Sequence, residues 1–346
     1  MTENILDTNT QIYPRGQSKI QNLKSKIEMT ATQVQNSVPP KRKLSKTVKN
    51  PRLQRIQKIH AIAVNTLSYL GLTVAVGLLL FGYPIGAIEM SIFAIATFLT
   101  TMGIVVGFHR HFTHCSFKAV TPVRVILAIL GSMAGQGNVA FWVALHRFHH
   151  ECSDTPDDPH SPYFKGEKQL GKWEGLWHSY MGWTVDHKLP NPLYYTSDIL
   201  RDKTIAKVNS LYFLWIAIGL LVPTLAGGIL TNSWLGAFYG FLWGGLVRIC
   251  VTQNLVWSIT SIAHIIGNSP LESGDRSTNN IWIAIPTLGD SWHNNHHAFP
   301  NAAIVGWKWW QIDIAGWIIR GLEKLGLVWD VKVPTPQMIE TKTIAK

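Results

Sequence analysis

Residues 85–114 read IGAIEMSIFAIATFLTTMGIVVGFHRHFTH. The stretch is apolar as far as Phe108, and about 20 apolar residues suffice to cross the roughly 30 Å hydrocarbon core of a bilayer. It then runs on into His109, His111 and His114. From Ile85 to His114 is 29 residues, about 43 Å of helix at 1.5 Å per residue. A helix of that length is expected to leave the membrane and carry its last turns, with their histidines, into the cytoplasm.

Working outward, the same construction recurs from Leu235 to His264, again 29 residues. Two further apolar runs lie at about 61–82 and 208–230, which with 85–108 and 234–262 makes four expected spans. Only Gly82-Tyr83-Pro84 and Thr231-Asn232-Ser233 separate the members of each pair, so two hairpins are expected to cross and return. A fifth apolar run, 123–145, is interrupted by Gly131, Gly135, Gln136, Gly137 and Asn138. If it crossed, it would put histidines on opposite sides of the bilayer. It is therefore expected as helix–break–helix at the interface, and a second interfacial helix is expected over 302–325, a Trp-rich stretch. Arg248 within the fourth span either marks the active-site side or snorkels.

Composition agrees with lipid as the solvent. Hydrophobic residues make up 47% and charged residues 15% of the 346, against roughly 25% charged in an average soluble domain. There are 15 Trp, a residue that collects at membrane–water interfaces. Residues 1–60 hold twelve Lys and Arg against three acids, most of the net charge of +11. A basic segment abutting an apolar span reads as a cytoplasmic flank on anionic lipid rather than a nucleic-acid arm, and puts both termini in the cytoplasm. Residues 1–55 are expected to be disordered. Three cysteines without a C-x-x-C pair exclude a disulfide scaffold. There is no P-loop, Rossmann glycine fingerprint or H-E-x-x-H in the sequence.

The 14 histidines cluster. His146/His149/His150 and His293/His296/His297 share the spacing H-x-x-H-H, which on a helix gathers the rings on one face. His109 and His114 are five apart, about 140° around an α-helix. They need not serve one ion, which suggests two metals. A lone His beside an apolar run is ordinarily a satisfied polar group. Two triplets and a pair on one side of a membrane are not explained by packing, since protonated neighbours would repel. Imidazole suits zinc, copper, iron and nickel. Many rings with few nearby acids fit a redox site better than a two-zinc hydrolase.

The stretches Gly107-Phe108-His109-Arg110-His111-Phe112-Thr113-His114, His146-Arg147-Phe148-His149-His150 and Ser291-Trp292-His293-Asn294-Asn295-His296-His297 resemble the three histidine boxes of the membrane fatty-acid desaturase family, in its delta-9 acyl-CoA/acyl-lipid, stearoyl-CoA desaturase-like branch of bacterial type. Asp157-Asp158-Pro159-His160 and His178-Ser179-Tyr180-Met181-Gly182-Trp183 fit the same branch. The resemblance implies an all-α integral membrane protein: four spans in two hairpins under a cytoplasmic helical cap that holds two Fe ions. It implies a desaturase domain over 56–330, followed by a tail, 331–346. The implied iron ligands are His109, His114, His146, His149, His150, His264, His293, His296 and His297. His111 is an extra ring, and Thr260 stands where the family often has a water-holding Asn.

The implied reaction removes two hydrogens from adjacent methylenes of a fatty-acyl lipid or acyl-CoA substrate, at delta-9 of a C16–C18 chain. It needs O₂ and electrons from a separate carrier such as a ferredoxin or a cytochrome b5-like protein. Phe93 and Thr97, on the second span, are expected near the closed end of an acyl tunnel, with core packing as the alternative. Lys165, Lys168 and Lys172 are expected either to meet a headgroup phosphate or to form a solvated loop. A hydroxylase or other oxygenase on the same scaffold, and a non-catalytic membrane metal-binding protein, are the rival readings.

Overall fold

The computed structural model describes Lys24, Lys26 and residues 44–344. Two units divide the chain, Met1–Leu44 and Ser45–Lys346. In the first, Lys24 and Lys26 are helical and exposed; the segment expected to be disordered, 1–55, lies mostly outside the described residues. The second unit holds the histidines and is mostly helical.

Among the described residues four helices are long and apolar enough to cross a membrane: α1 (Pro51–Leu80), α2 (Ala87–Thr113), α6 (Tyr212–Thr231) and α7 (Trp234–His264). Helix α1 starts ahead of its apolar run because Asn50 caps it. The Asn50 side chain accepts from the backbone of Arg52 and Leu53, and Pro51 fills the first turn, where no amide donor is missed. Between α2 and α6 come α3 (Thr121–Ser132), α4 (Val139–Cys152) and α5 (Lys172–Tyr180). The remainder is largely irregular, with α8 (His293–Ala298) and α9 (Ile314–Lys324). Strand Lys118–Ala119 pairs antiparallel with Val328–Trp329 and ties the chain after α2 to the chain after α9.

The two spans that lead into histidines, α2 and α7, change pitch on the way. Gly103–Thr113 at the end of α2 and Gly240–Val247 within α7 are π-helical, a rare winding that tends to mark functional sites. In α2 a Cβ at Gly103 would sit 2.2 Å from the amide nitrogen of Gly131. Glycine there lets α3 pack directly on α2. Val105, Val106, Phe117, Leu127, Ala303 and Ile319 make one core beneath that contact, and Ile104, Phe108, Ala128, Val139 and Val143 make another.

The run between the first two histidine boxes is a helix, a break and a second helix. The break needs Gly135 (φ +75°) and Gly137 (φ +106°), a left-handed backbone that side chains disfavour. Asn138 then caps α4 by accepting from the backbone of Phe141. Arg248 takes a third course, neither facing the histidines nor reaching for water. It is 1% exposed and donates to the carbonyls of Gly244, Met133 and Gly219. It thereby pins the break against α6 and α7.

The helix expected over 302–325 occupies only Ile314–Lys324. Side chains satisfy the backbone of 303–313 instead, which removes the incentive to wind a helix. Asp313 accepts from the amides of Val305 and Gly316, and Gln311 from those of Trp307 and Lys308.

Candidate metal centre

The nine rings gather into two groups. His109 and His114 from α2, His146 and His150 from α4, and His296 from α8 form the first; His149, His264, His293 and His297 form the second. Within each group the candidate ligand nitrogens all lie within 4.8 Å of one another. Each H-x-x-H-H triplet is split. Its i, i+4 pair goes to one group and the ring between them to the other, so α4 gives two rings to the first and α8 two to the second.

The 140° expected between His109 and His114 does not survive the π winding. The amide of His114 donates to the carbonyl of His109, an i+5 bond, and the rings meet edge to face at 4.9 Å. Both belong to the first group. His111 joins neither. Its Nδ1–H donates to the Phe117 carbonyl, and the ring lies between Phe112 and Phe117.

Carboxylates hold the outer nitrogen of four rings. His109 Nδ1–H donates to Asp290 (2.6 Å), His149 to Asp158 (3.0 Å), His264 to Asp154 (3.0 Å), and His297 to Asp275. Such a bond fixes the tautomer with the proton on Nδ1 and turns the bare Nε2 inward. Few acids stand near the rings in sequence, and spacing alone assigns these four no role. Asp154 follows His150 by four residues and Asp290 precedes His293 by three; that adjacency was the available signal. The acids are themselves held: Asp290 by Arg110 (2.9 Å), and Asp158 by the amides of Asp154 and His160.

Burial disfavours the charged form of six of the rings. His114, His146, His150, His293 and His296 are pushed well below the ordinary imidazole range by burial and then by the charge of neighbouring rings. His297 is pushed down to about 4 by burial, with Asp275 opposing. Asp158 and Asp275 stay below the carboxylate range despite burial, because His149 and His297 stand against them.

This donor set fits metal. His109 Nε2 lies 3.0 Å from His296 Nε2, and His264 Nε2 lies 3.0 Å from His293 Nε2. In His109 and His264 the tautomer that donates Nδ1–H to Asp290 and Asp154 leaves the lone pair on that Nε2. Two nitrogens about 2.1 Å from one ion and at right angles to each other would stand about 3.0 Å apart. His114 Nε2 and His297 Nε2 are buried with no hydrogen-bond partner, and a cation between the rings would satisfy them.

Residues 88–331 match the fatty acid desaturase family. The chain belongs to that family. It is 50% identical over 309 residues to a hex-5-enoyl-[acyl-carrier protein] acetylenase of Moorena producens, covering 89% of this chain and 96% of that protein. It is 36% identical over 245 residues to an sn-1 stearoyl-lipid 9-desaturase of Synechocystis, covering 70% of each. With an acyl-CoA C20 Delta5-desaturase of Anemone leveillei it shares 35% over 247 residues, 70% of this chain and 73% of that one.

In this member of the desaturase family, an oxidoreductase, a cavity of about 70 Å³ reaches the rings, lined by Trp142, His146, Gln136, Gln253, Val256 and Thr260 among others. A smaller one of about 30 Å³ shares Trp142, His146, Val256 and Thr260 with it and touches His109, His149 and His293. Thr260 therefore borders both groups, although its hydroxyl donates to the carbonyls of Ser179 or Trp257. Phe93 and Thr97 line neither cavity. Phe93 packs edge-on against Trp243, 5.8 Å away, in the core between α1 and α7. Lys165 pairs with Asp186 and Lys168 with Glu174, all largely exposed, and Lys172 sits over Trp173.

Proposed function

We propose that the chain carries out O₂-dependent removal of two hydrogens from adjacent carbons of a fatty-acyl chain at a centre of two irons. The observation that carries this is the five-plus-four set of inward-facing imidazoles beside a cavity. His109, His114, His146, His150 and His296 would hold one iron, and His149, His264, His293 and His297 the other. Thr260 is at most a water-mediated participant.

When bound, the irons supply the O₂ activation that an unactivated C–H bond requires. The balance is fixed: O₂ takes four electrons, two from the substrate's C–H bonds and two from an external donor, and with two further protons leaves as two waters. The chain's own residues orient and shield. Asp154, Asp158, Asp275 and Asp290 hold their rings in one tautomer, Trp142 stacks on His146 at 5.1 Å, and the buried rings exclude bulk water.

The four apolar helices support a multi-pass protein whose spans form two hairpins beneath a cytoplasmic cap, with α3 and α9 at the interface. Both termini would then face the cytoplasm, in a bacterial plasma or thylakoid membrane. Electrons would come from a separate ferredoxin or cytochrome b5-like carrier, steered by the basic face. The histidine boxes and the Synechocystis relative favour delta-9 on a C16–C18 acyl lipid or acyl-CoA. A second reading is favoured by the Moorena relative: dehydrogenation of a short, already unsaturated chain on an acyl carrier protein.

The test is expression in a desaturase-deficient bacterium with a ferredoxin system, followed by gas chromatography–mass spectrometry of all acyl groups. A new unsaturated acid, absent with His146→Ala/His296→Ala, is expected. A hydroxy acid would move the assignment to an oxygenase, and metal binding without any product would end the catalytic reading.

A further inference from the structure

We infer that the C-terminal tail is a strap that positions the second histidine group, the one formed by His149, His264, His293 and His297. This rests on the metal reading of the rings and assigns a role to residues beyond the 88–331 matched to the family.

The chain between α7 and α8 supports that group from outside. It reads Ser269-Pro270-Leu271-Glu272-Ser273-Gly274-Asp275-Arg276-Ser277, a composition that favours turns over helix. Asp275 accepts from His297, and its other oxygen is held by the Ser273 hydroxyl (2.7 Å) and the Ser277 amide (3.0 Å). The Arg276 amide donates to Asp154 (2.8 Å), at the same oxygen that accepts from His264. Two rings of the second group thus take their orientation through adjacent residues of one loop. Such a loop has no hydrogen-bond ladder of its own, so its backbone groups must find partners in its neighbours.

On one side the partner is α8. Asn294 Oδ1 accepts from the Leu271 amide (2.9 Å), and Asn294 Nδ2 donates to the Leu271 carbonyl (3.0 Å). On the other side it is the tail, which follows a short helix, Pro336–Lys342. The Glu272 amide donates to the Lys342 carbonyl (2.8 Å), and the Ile344 amide donates to the Pro270 carbonyl (3.0 Å). These two bonds flank an antiparallel bridge between Leu271 and Thr343. Lys342 also reaches α8 directly. Its Nζ donates to the carbonyl of Ala298 (2.7 Å), the last residue of α8, and stands 5.1 Å over the Phe299 ring. A helix end leaves such carbonyls unpaired and favours a cation beside them. The tail therefore clamps the Asp275 loop to the helix that carries His293 and His297. The helix Pro336–Lys342 buries no residue, so what it contributes is these bonds rather than core. In the first group Asp290 is held instead by Arg110. Upstream, Lys332 bonds the Ser116 carbonyl (2.9 Å) and the Ala303 amide (2.8 Å), an anchor that survives removal of 336–346.

The experiment loads the full chain and its variants with Fe(II) and follows release of iron to a ferrous chelator. The wild type should hold two irons. Deleting 336–346 should speed release of one of them by about 10- to 100-fold, as loss of an outer support does, and leave the other at the wild-type rate. The same deletion in His293→Ala, which keeps only the first-group iron, should change nothing. Lys342→Ala should act in the same direction by a smaller factor. Lys342→Arg, which keeps a donor for the Ala298 carbonyl, should restore wild-type release. Two irons released at unchanged rates, or both accelerated alike, would overturn the strap and leave the metal reading intact. A wild type that does not hold two irons would overturn both. If the deletion does not fold, Lys342→Ala and Ile344→Pro, which removes the amide bonded to Pro270, decide on the same criteria.

Discussion

Behind the five rings of the first histidine group stands one carboxylate, Asp290, shared between His109 and the buried guanidinium of Arg110. Behind the four rings of the second stand three, Asp154, Asp158 and Asp275, each bonded to a ring of that group. Helices α4 and α8 feed both groups, with α2 adding two rings to the first and α7 one to the second, and a further difference lies in what holds the rings. A ring that gives its outer proton to a carboxylate is the better donor at its inner nitrogen. The second site is thus expected to hold its metal more tightly with fewer ligands, and the first to rely on ligand number.

The largest effect should come from removing a ring that has no carboxylate of its own. His146→Ala is expected to abolish product formation and to bring iron down to about one per chain, read by elemental analysis of purified protein. His293→Ala should do the same to the opposite site. Retention of two irons in either variant would break the assignment of ligands to groups.

Next come the supports. Asp275→Asn and Asp158→Asn should each weaken metal binding by about 10- to 100-fold, measured by competition with a chelator, and the loss should fall on the tighter of two binding steps. Asp290→Asn should affect the weaker step and leave the tighter one in place. If all three variants lower the same step, the two groups do not differ as argued.

Much of this was legible in the sequence, for physical reasons that also explain the rest. Four helices could be read because apolar length is a direct measure of span. Eight of the nine rings could be read because H-x-x-H-H and H-x₄-H are too dense to be explained by packing; the lone His264 came only with the family resemblance. The sharing of rings between groups was not legible, because residue spacing by itself implies ordinary α-helical winding. The 100° step of an α-helix separates His109 from His114, and the π winding of Gly103–Thr113 rejoins them. Asp290 and Asp154 were missed because single acids beside a histidine box look like solvated charge until burial is known. The helix boundary at Ile314 was missed because Asp313 and Gln311 act through their side chains, not through any periodicity.

Acid should separate the two groups in the metal-free protein. His114, His146, His150 and His296 of the first group are held neutral by burial. His297 of the second has Asp275 against it and still resists protonation down to about 4. The unfolded chain takes these protons below about pH 6.5. It therefore binds more protons than the folded state between about pH 6.5 and 4, and stability falls through that window as pH falls. Stability is full above it. Because four first-group rings lack a carboxylate, that group should open first. The fluorescence of Trp142, stacked on His146, should change before global unfolding, with Trp142→Phe identifying its share. Simultaneous transitions would show that the carboxylates do not protect the second group.

The smallest effect is reserved for the histidine that sits inside a box and outside both groups. His111 is one residue from Arg110 and two from His109, so proximity in sequence alone would make it a ligand. Its ring instead donates to the Phe117 carbonyl at 3.2 Å and packs on Phe112 and Phe117. His111→Ala loses one hydrogen bond and some ring contact, a cost of about 1–3 kcal/mol in stability. It should leave two irons bound and both binding steps unchanged. A lowered melting temperature with intact metal content is the expected pair of results. Loss of iron from the first site would instead mean that box one contributes through His111, and that the count of five ligands against four is wrong.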